Sequence, residues 1–399
     1  MTKKKSVPQI RFAGYSDEWV KFQFGDILDK YEDPVATPHD GYERLGVRSH
    51  VKGTFHSYVA PGSELETAQM HRVAADKLLF NITFAWEHAV AITDETDAGK
   101  LVSHRFPQFS FAPEMDPKFF RYVVADDKFR YYLWLSSPGG AGRNRVLNIP
   151  EMLEYQTYLP QKAEQIRLAD WFSNLDVMIV QHQSKLKKLQ NLKASMLEKM
   201  FPKDGADMPE VRFKEFSGEW EKHKVGDFLA ESRIIGNTGL TAKKLTVKLW
   251  GKGVVEKNDT YGGSAHTQYY VRKAGQFMYG KLDFLHAAFG IVPDSLDGYE
   301  STLDSPAFDL SGIDGQFLMN AVIQENFYLK NGMIANGSRK AKRIHAETFL
   351  EMDILTPSIE EQKKIGDYFV QLDKQVSFAQ IEIGKLQNVK KALLEKMFV

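Results

Sequence analysis

Two short glycine-containing segments cluster cations. "SPGGAGRNRVLNIPEML" begins at Ser137 and "IANGSRKAKRIHAETFL" at Ile334. At a shift of 197 residues (143 to 340), Arg143 falls on Lys340 and Arg145 on Lys342. Asn144 falls on Ala341, while Arg339 and Arg343 have no basic counterpart. Glycine lets backbone N–H groups close on an oxyanion, and Arg or Lys neutralises its charge, so the chemistry indicated is phosphate contact. A solvated surface turn is the better reading of one such loop; the same loop twice in register favours phosphate.

A second pair of segments behaves the same way. "LGVRSHVKG" from Leu45 parallels "LTVKLWGKG" from Leu245, so Arg48 pairs with Lys248 and Lys52 with Lys252. Cations kept in both copies suit the sugar–phosphate backbone, which carries no sequence. The phosphate set is then Arg48, Lys52, Arg143, Arg145, Lys248, Lys252, Lys340 and Lys342, with Arg343 added from the same loop although its register partner is not basic. Positions in register that differ chemically suit base edges instead. His104 and Arg105 stand against Leu303 and Asp304, and with Asn144 and Arg339 they form the expected base-reading set.

Catalytic groups are harder to find. No G-x-x-x-x-G-K-[ST] loop and no H-E-x-x-H occur, and the eleven histidines show no metal spacing. "PDSLDGYES" (Pro293–Ser301) resembles an acidic nuclease cluster but has no lysine at useful distance, and reads as a solvated loop. Neither an Asn/Asp-Pro-Pro-aromatic tetrapeptide nor a glycine-rich methyl-donor loop is present. We expect no catalytic residue, no metal site and no cofactor in this chain.

Composition sets the frame. The 399 residues suffice for two domains, and 43% hydrophobic with 26% charged content is that of a globular protein. The absence of cysteine excludes disulfides and thiolate chemistry. No apolar run approaches twenty residues, so a cytoplasmic protein without a membrane partner is expected. The 52 basic and 52 acidic residues balance, which argues against coating a polyanion by bulk charge but leaves local basic loops free to act.

The elements that must position these loops are duplicated. "LPQKAEQIRLADWFSNLDVMIVQHQSKLKKLQNLKASMLEKMF" from Leu159 aligns without a gap on "TPSIEEQKKIGDYFVQLDKQVSFAQIEIGKLQNVKKALLEKMF" from Thr356. "VPQIRFAGYSDEWVKFQFGDIL" from Val7 aligns on "MPEVRFKEFSGEWEKHKVGDFL" from Met208. Such repetition decides the architecture before any local reading does. Leu168, Phe172, Leu175, Ile179, His182, Leu186, Leu189, Lys193, Met196 and Met200 step by four and three, the seam of a coiled coil. Ile365, Phe369, Leu372, Val376, Ala379, Ile383, Leu386, Lys390, Leu393 and Met397 repeat the frame. Each helix of roughly 40 residues spans about 60 Å. Two equivalent helices of one chain pack about a pseudo-twofold axis, which makes them antiparallel. Docking of each helix on its own neighbouring domain is the simpler alternative.

Between the helices lie two units of mixed pattern, so the fold class is α/β (α+β). "KLLFNITFAWEHAVAI" (Lys77–Ile92) and "QFMYGKLDFLHAAFGIV" (Gln276–Val292) read as buried strands broken by polar positions. "MDPKFFRYVVADDKFRYYLWL" (Met115–Leu135) and "IDGQFLMNAVIQENFYLKN" (Ile313–Asn331) read as helices whose aromatic faces are core. The expected boundaries are a repeated segment over 1–20, a first module over 21–157, a helix over 158–201, a linker and repeated segment over 202–220, a second module over 221–354 and a helix over 355–399.

Two variable modules alternating with two near-identical helices resemble the specificity (S) subunit of type I restriction–modification enzymes. Glu164-Gln165 and Glu361-Gln362 near the helix starts, "FAWEHAVAI" followed by "GKLVSHRFPQF", and the terminal "LLEKMF" share that resemblance. The second module departs from it, with "LDFLHA" (Leu282–Ala287) where the first has "FAWEHA". The resemblance implies two target recognition domains, each reading half of a bipartite double-stranded DNA site. It implies helices that act as a ruler and dock two methyltransferase (M) subunits, with restriction (R) subunits joining. S-adenosylmethionine, ATP and Mg would be bound by those partners. A coiled-coil scaffold with two protein-binding modules is the competing reading, and a stand-alone nuclease lacks the carboxylates it needs.

Overall fold

The computed structural model describes residues 6–65, 67, 69–139, 145–258, 264–333 and 343–399. The chain divides into two units, residues 1–181 with 383–399, and residues 182–382. The division cuts both long helices, Lys162–Lys199 and Ile359–Met397, so each unit owns part of each.

In the first unit, Val20–Gln23 pairs antiparallel with Gln156–Leu159 and closes the module at its base. A four-stranded sheet follows in the order Leu28–Tyr31, Gln108–Phe111, Leu78–Phe80, Val90–Ile92. Leu78, Leu79 and Phe80 are all buried, so this strand has no wet face, which is why it shows no alternation. A five-stranded sheet runs Pro34–Ala36, Gln69–Arg72, Leu101–Val102, Tyr42–Val47, Thr54–Val59, with one parallel contact between Arg44 and Leu101.

The second unit repeats the plan. Glu221–Lys224 pairs with Asp353–Thr356, and the four-stranded sheet runs Leu229–Ser232, Ala307–Leu310, Phe277–Tyr279, Phe289–Ile291. The five-stranded sheet is here a three-stranded and a two-stranded sheet, bridged in parallel by Lys244 and Glu300.

The expected aromatic helices are each broken in two. Pro117–Val123 is followed by Asp127–Leu135, where the Asp126 carboxylate caps the second helix by accepting from the Lys128 N–H at 3.1 Å. Gly315–Val322 is likewise followed by Glu325–Gly332. Phe119, Phe120, Phe129 and Phe317 are fully buried and are core as expected, whereas Tyr131 and Trp134 of the same aromatic stretch are exposed, against that expectation.

The long helices pair, and they run in opposite directions. In the first unit Phe172 meets Phe398 (centroids 5.9 Å apart) and Asp176 meets Lys390 at 2.5 Å, so one number rises as the other falls. In the second, Lys193 meets Asp373 at 2.5 Å and Phe201 meets Phe369 at 6.3 Å. Every expected seam residue is buried or half-buried: Leu168, Phe172, Leu175 and Ile179 are buried, with Leu186 and Leu189 intermediate. Ile365, Phe369, Leu372 and Ile383 are buried, with Val376 and Leu386 intermediate. The two arrangements weighed from the sequence turn out to coexist. Each helix docks its first turns on the core of the module it follows, and its last turns meet both the other helix and the core that helix docks on.

Three repeated sequence features find their purpose here. Arg11 forks onto Glu164 with two bonds of 2.7 Å, and Arg212 onto Glu361 at 2.7 and 2.6 Å. Both carboxylates are buried, and a bidentate guanidinium is the partner that makes such burial affordable. The neighbouring glutamines turn inward: Gln165 accepts from the Asp116 N–H at 2.9 Å and Gln362 from the Asp314 N–H at 3.0 Å, fixing the start of an aromatic helix in each unit. The phenylalanine that ends "LLEKMF" packs edge-on against the tryptophan of the repeated lead-in, Phe398 on Trp19 at 6.1 Å and Phe201 on Trp220 at 5.9 Å.

Candidate nucleic-acid interface

The clearest repeated surface feature is a hairpin tip. In the first unit it joins Tyr42–Val47 to Thr54–Val59, and in the second Leu245–Val247 to Val254–Glu256. The Arg48 N–H donates to the Gly53 carbonyl at 2.9 Å, and the Lys248 N–H to the Gly253 carbonyl at 2.8 Å. Both tips hold three left-handed residues, His50, Val51 and Gly53 in one, Trp250, Gly251 and Gly253 in the other. Val51, at φ 52°, is the strained member, since a β-branched side chain rarely adopts that conformation.

Each tip leans on a second turn that the sequence had presented only as an interrupted strand. A 3-10 turn, Ala85–Glu87 in one unit and Phe284–His286 in the other, separates the last two strands of the four-stranded sheet, an inner strand and the edge strand beside it. The His50 and Val51 N–H groups donate to the Glu87 and His88 carbonyls at 2.9 and 3.1 Å. Trp250 and Gly251 do the same to His286 and Ala287, both at 2.8 Å. Arg48, Lys52, Lys248 and Lys252 are all exposed on these braced tips. The Arg48 guanidinium donates to the Thr54 carbonyl and lies 5.1 Å from the Phe55 ring centre, which limits its sweep without covering all its donors.

His88 closes the first unit's turn from below. Its side chain is buried and Nε2 donates to the Val124 carbonyl at 2.6 Å. Burial pushes its pKa below the ordinary imidazole value, against the smaller upward pull of that bond. The ring is therefore held neutral at pH 7.

Of the expected loop residues, Arg143, Asn144, Arg339, Lys340 and Lys342 lie outside the described residues. Arg145 is half-buried, its guanidinium 4.8 Å from the Trp134 ring centre and 5.9 Å from Trp86. Stacking covers its faces and leaves its edge donors to act. Tyr131 stacks on Trp134 (6.0 Å, 13° between planes), and these rings with Trp86, His50, Glu87, Asp127 and Arg130 line a cleft of about 640 Å³. No spacing in the sequence pointed to this aromatic cleft, because its members come from three separate elements.

His104 and Arg105 stand exposed on the turn after Leu101–Val102. The turn is drawn to the other loops through Ile82: the Ile82 N–H donates to the Arg105 carbonyl at 3.0 Å, and the Leu147 N–H to the Ile82 carbonyl at 2.9 Å. The second unit repeats this ladder, from Lys281 to Asp304 at 2.9 Å and from Ile344 to Lys281 at 3.1 Å. Arg343 thereby meets Asp304, with Nε 3.5 Å from Oδ1. Within each unit the hairpin tip, the 3-10 turn, the 104–105 or 303–304 turn and the segment entering 147 or 344 form one connected group.

The acidic stretch at 293–301 serves the fold. Leu296 is buried, Asp297 accepts from the Ala274 N–H at 2.8 Å, and Glu300 accepts from the Asn237 backbone and side chain at 2.6 Å each. Among the described residues no group of three His, Asp or Glu is placed to hold a metal ion, and no helix is long and apolar enough to cross a membrane.

No protein-family model matches the chain. Among solved structures it is similar to the type I restriction–modification system S subunit from M. genitalium. The match covers 98% of this chain and 99% of that one, at 14% identity and a TM-score of 0.58. The HsdS subunit from Thermoanaerobacter tengcongensis matches over 95% of this chain and 96% of its own, at 15% identity and a TM-score of 0.48. A chain from a structure addressing complex assembly and conformational transition of the type I R-M system matches over 95% and 97%, at 14% identity and a TM-score of 0.49. On the first of these likenesses, taken with the duplicated modules and paired helices described above, this chain has, over nearly its whole length, the fold of a type I restriction–modification S subunit.

Proposed function

We propose that this chain is the DNA sequence-specificity subunit of a type I restriction–modification complex. Each module is a target recognition domain for one half of a bipartite site. The observation that carries the reading is the hairpin tip built twice by the same hydrogen bonds, with an exposed cation at each end of both copies (Arg48 and Lys52; Lys248 and Lys252). A packing or protein-binding role has no need to keep those charges on two braced, left-handed turns; a polyanion with a repeating backbone does.

The paired helices set the unread spacer and offer their outer faces to two methyltransferase subunits, with restriction subunits joining the assembly. The chain itself is non-catalytic and acts in the cytoplasm. S-adenosylmethionine, ATP and Mg are held by the partners. The fold likeness and the division of residues between structure and surface cations support this reading.

The test is a map of methylated adenines in cells with and without the chain. A bipartite motif that disappears with the chain is expected. Exchange of residues 21–157 for another such module should change one half of that motif and leave the other half intact. Loss of both halves, or no dependence on the chain, would overturn the proposal.

A further inference from the structure

The turn over residues 302–305 of the second unit is organised unlike its counterpart. Beneath it lies Arg272, fully buried. Its Nε donates to Ser301 Oγ at 2.7 Å and Nη1 to the Ser232 carbonyl at 2.8 Å, while Nη2 faces the Ser301 and Ser305 carbonyls at 3.5 Å each. Ser301 Oγ in turn donates to the Ser305 carbonyl at 2.6 Å. One guanidinium thus clamps both ends of the turn. The equivalent residue of the first unit is Val73, whose N–H bonds the Lys100 carbonyl as that of Arg272 bonds Tyr299. A buried arginine in a valine's place is costly unless its bonds are used, and here they fix one turn.

On that turn stands Asp304, and the ladder through Lys281 sets Arg343 beside it. The first unit carries Arg105 and Val146 at these positions, a lone cation in place of an acid–base pair. A carboxylate facing phosphates is repelled, so Asp304 on a cation-bearing face calls for a donor to meet it. The major-groove edge of a G·C pair presents the guanine N7 and O6 acceptors beside the cytosine N4 donor. Nε is the Arg343 nitrogen that approaches Asp304, 3.5 Å from Oδ1, so the terminal nitrogens can turn to the guanine and Asp304 Oδ2 to the cytosine amine. An A·T edge, with its donor between two acceptors, does not fit that order.

We infer that Asp304 and Arg343 together read one G·C pair in the half-site of the second unit, Arg343 serving a base rather than the phosphate expected of it from the sequence, with Arg272 as the residue that positions their turn. The inference rests on the DNA-reading role proposed above. The test is selection of randomised duplexes by the full chain complexed with its methyltransferase subunits, comparing wild type with Asp304→Asn and Arg343→Ala. Asp304 is exposed and Arg343 half-buried at the surface, neither in the core, so a thermal melt should show both variants folded. Wild type should select a bipartite motif with a fixed G·C pair in the second half. Each variant should lose about tenfold in preference at that one position, and Asp304→Asn should admit A·T there, because an amide can pair with adenine. Unchanged selection, or equal weakening on all sequences, overturns the inference while the bipartite motif leaves the functional reading standing. If wild type selects no motif, both fall together.

Discussion

At the scale of single residues, the duplication supplies its own controls. His88 and Ala287 occupy equivalent left-handed positions after the 3-10 turns, at φ 66° and 47°. The histidine binds the Val124 carbonyl from a buried site that lowers its pKa; the alanine cannot titrate. The unfolded chain takes up a proton near the ordinary imidazole value, about 6.5, before the folded chain does. Stability contributed by neutral His88 is therefore present above that pH and is lost as pH falls toward the lower folded value. Ala287 shows that the backbone accepts alanine there, so His88→Ala should fold, at a cost of about 1–2 kcal/mol at pH 7.5 from the lost bond. We expect the gap between wild type and variant to narrow at pH 5.5 in denaturant melts. A gap that widens on acidification would mean that the folded ring is charged.

At the scale of elements, the two long helices show what a sequence makes legible and what it does not. Their seam was readable residue by residue, because a period of four and three is local information. The fork of Arg11 onto Glu164 was not, although both residues were visibly repeated, because the contact spans 153 positions and leaves no periodicity. The 3-10 turns were hidden for a related reason: the hydrophobic residues of the broken strand are core on both sides of the break, so the pattern looks continuous. The structure adds a gradient that the heptad alone does not contain. Seam residues from Leu168 to Ile179 are buried, whereas those from His182 to Met196 are only half-buried, since the early turns are covered by a module as well as by the partner helix. Phe172→Ala should therefore cost about 3–5 kcal/mol, as a fully buried aromatic does. Leu189→Ala, half in water, should cost clearly less. Equal costs for the two in denaturant melts of the full chain would show that the later turns are as tightly covered as the first.

At the scale of the whole molecule, the balance of 52 basic and 52 acidic residues means that attraction to a polyanion has to be local. Much of the charge is consumed internally: Arg11, Arg212, Lys193 and Lys390 each hold a carboxylate that the fold or the helix pair needs. The exposed cations of the hairpin tips have no such carboxylate among the described residues, which makes them the natural carriers of salt dependence. Each phosphate neutralised contributes about 0.9 to the slope of log affinity against log salt. Arg48→Ala with Lys52→Ala should then flatten the slope by about 2 for the assembled complex, and affinity at 50 mM salt should fall more than at 200 mM. Because backbone contacts carry no sequence, the loss should be the same for the cognate site and for unrelated duplexes. The matching pair, Lys248→Ala with Lys252→Ala, should flatten it by a similar amount, since its tip is built by the same bonds. A slope unchanged by either pair, measured by titration at four salt concentrations, would remove the tips from the DNA interface and leave the duplicated turns without their proposed ligand.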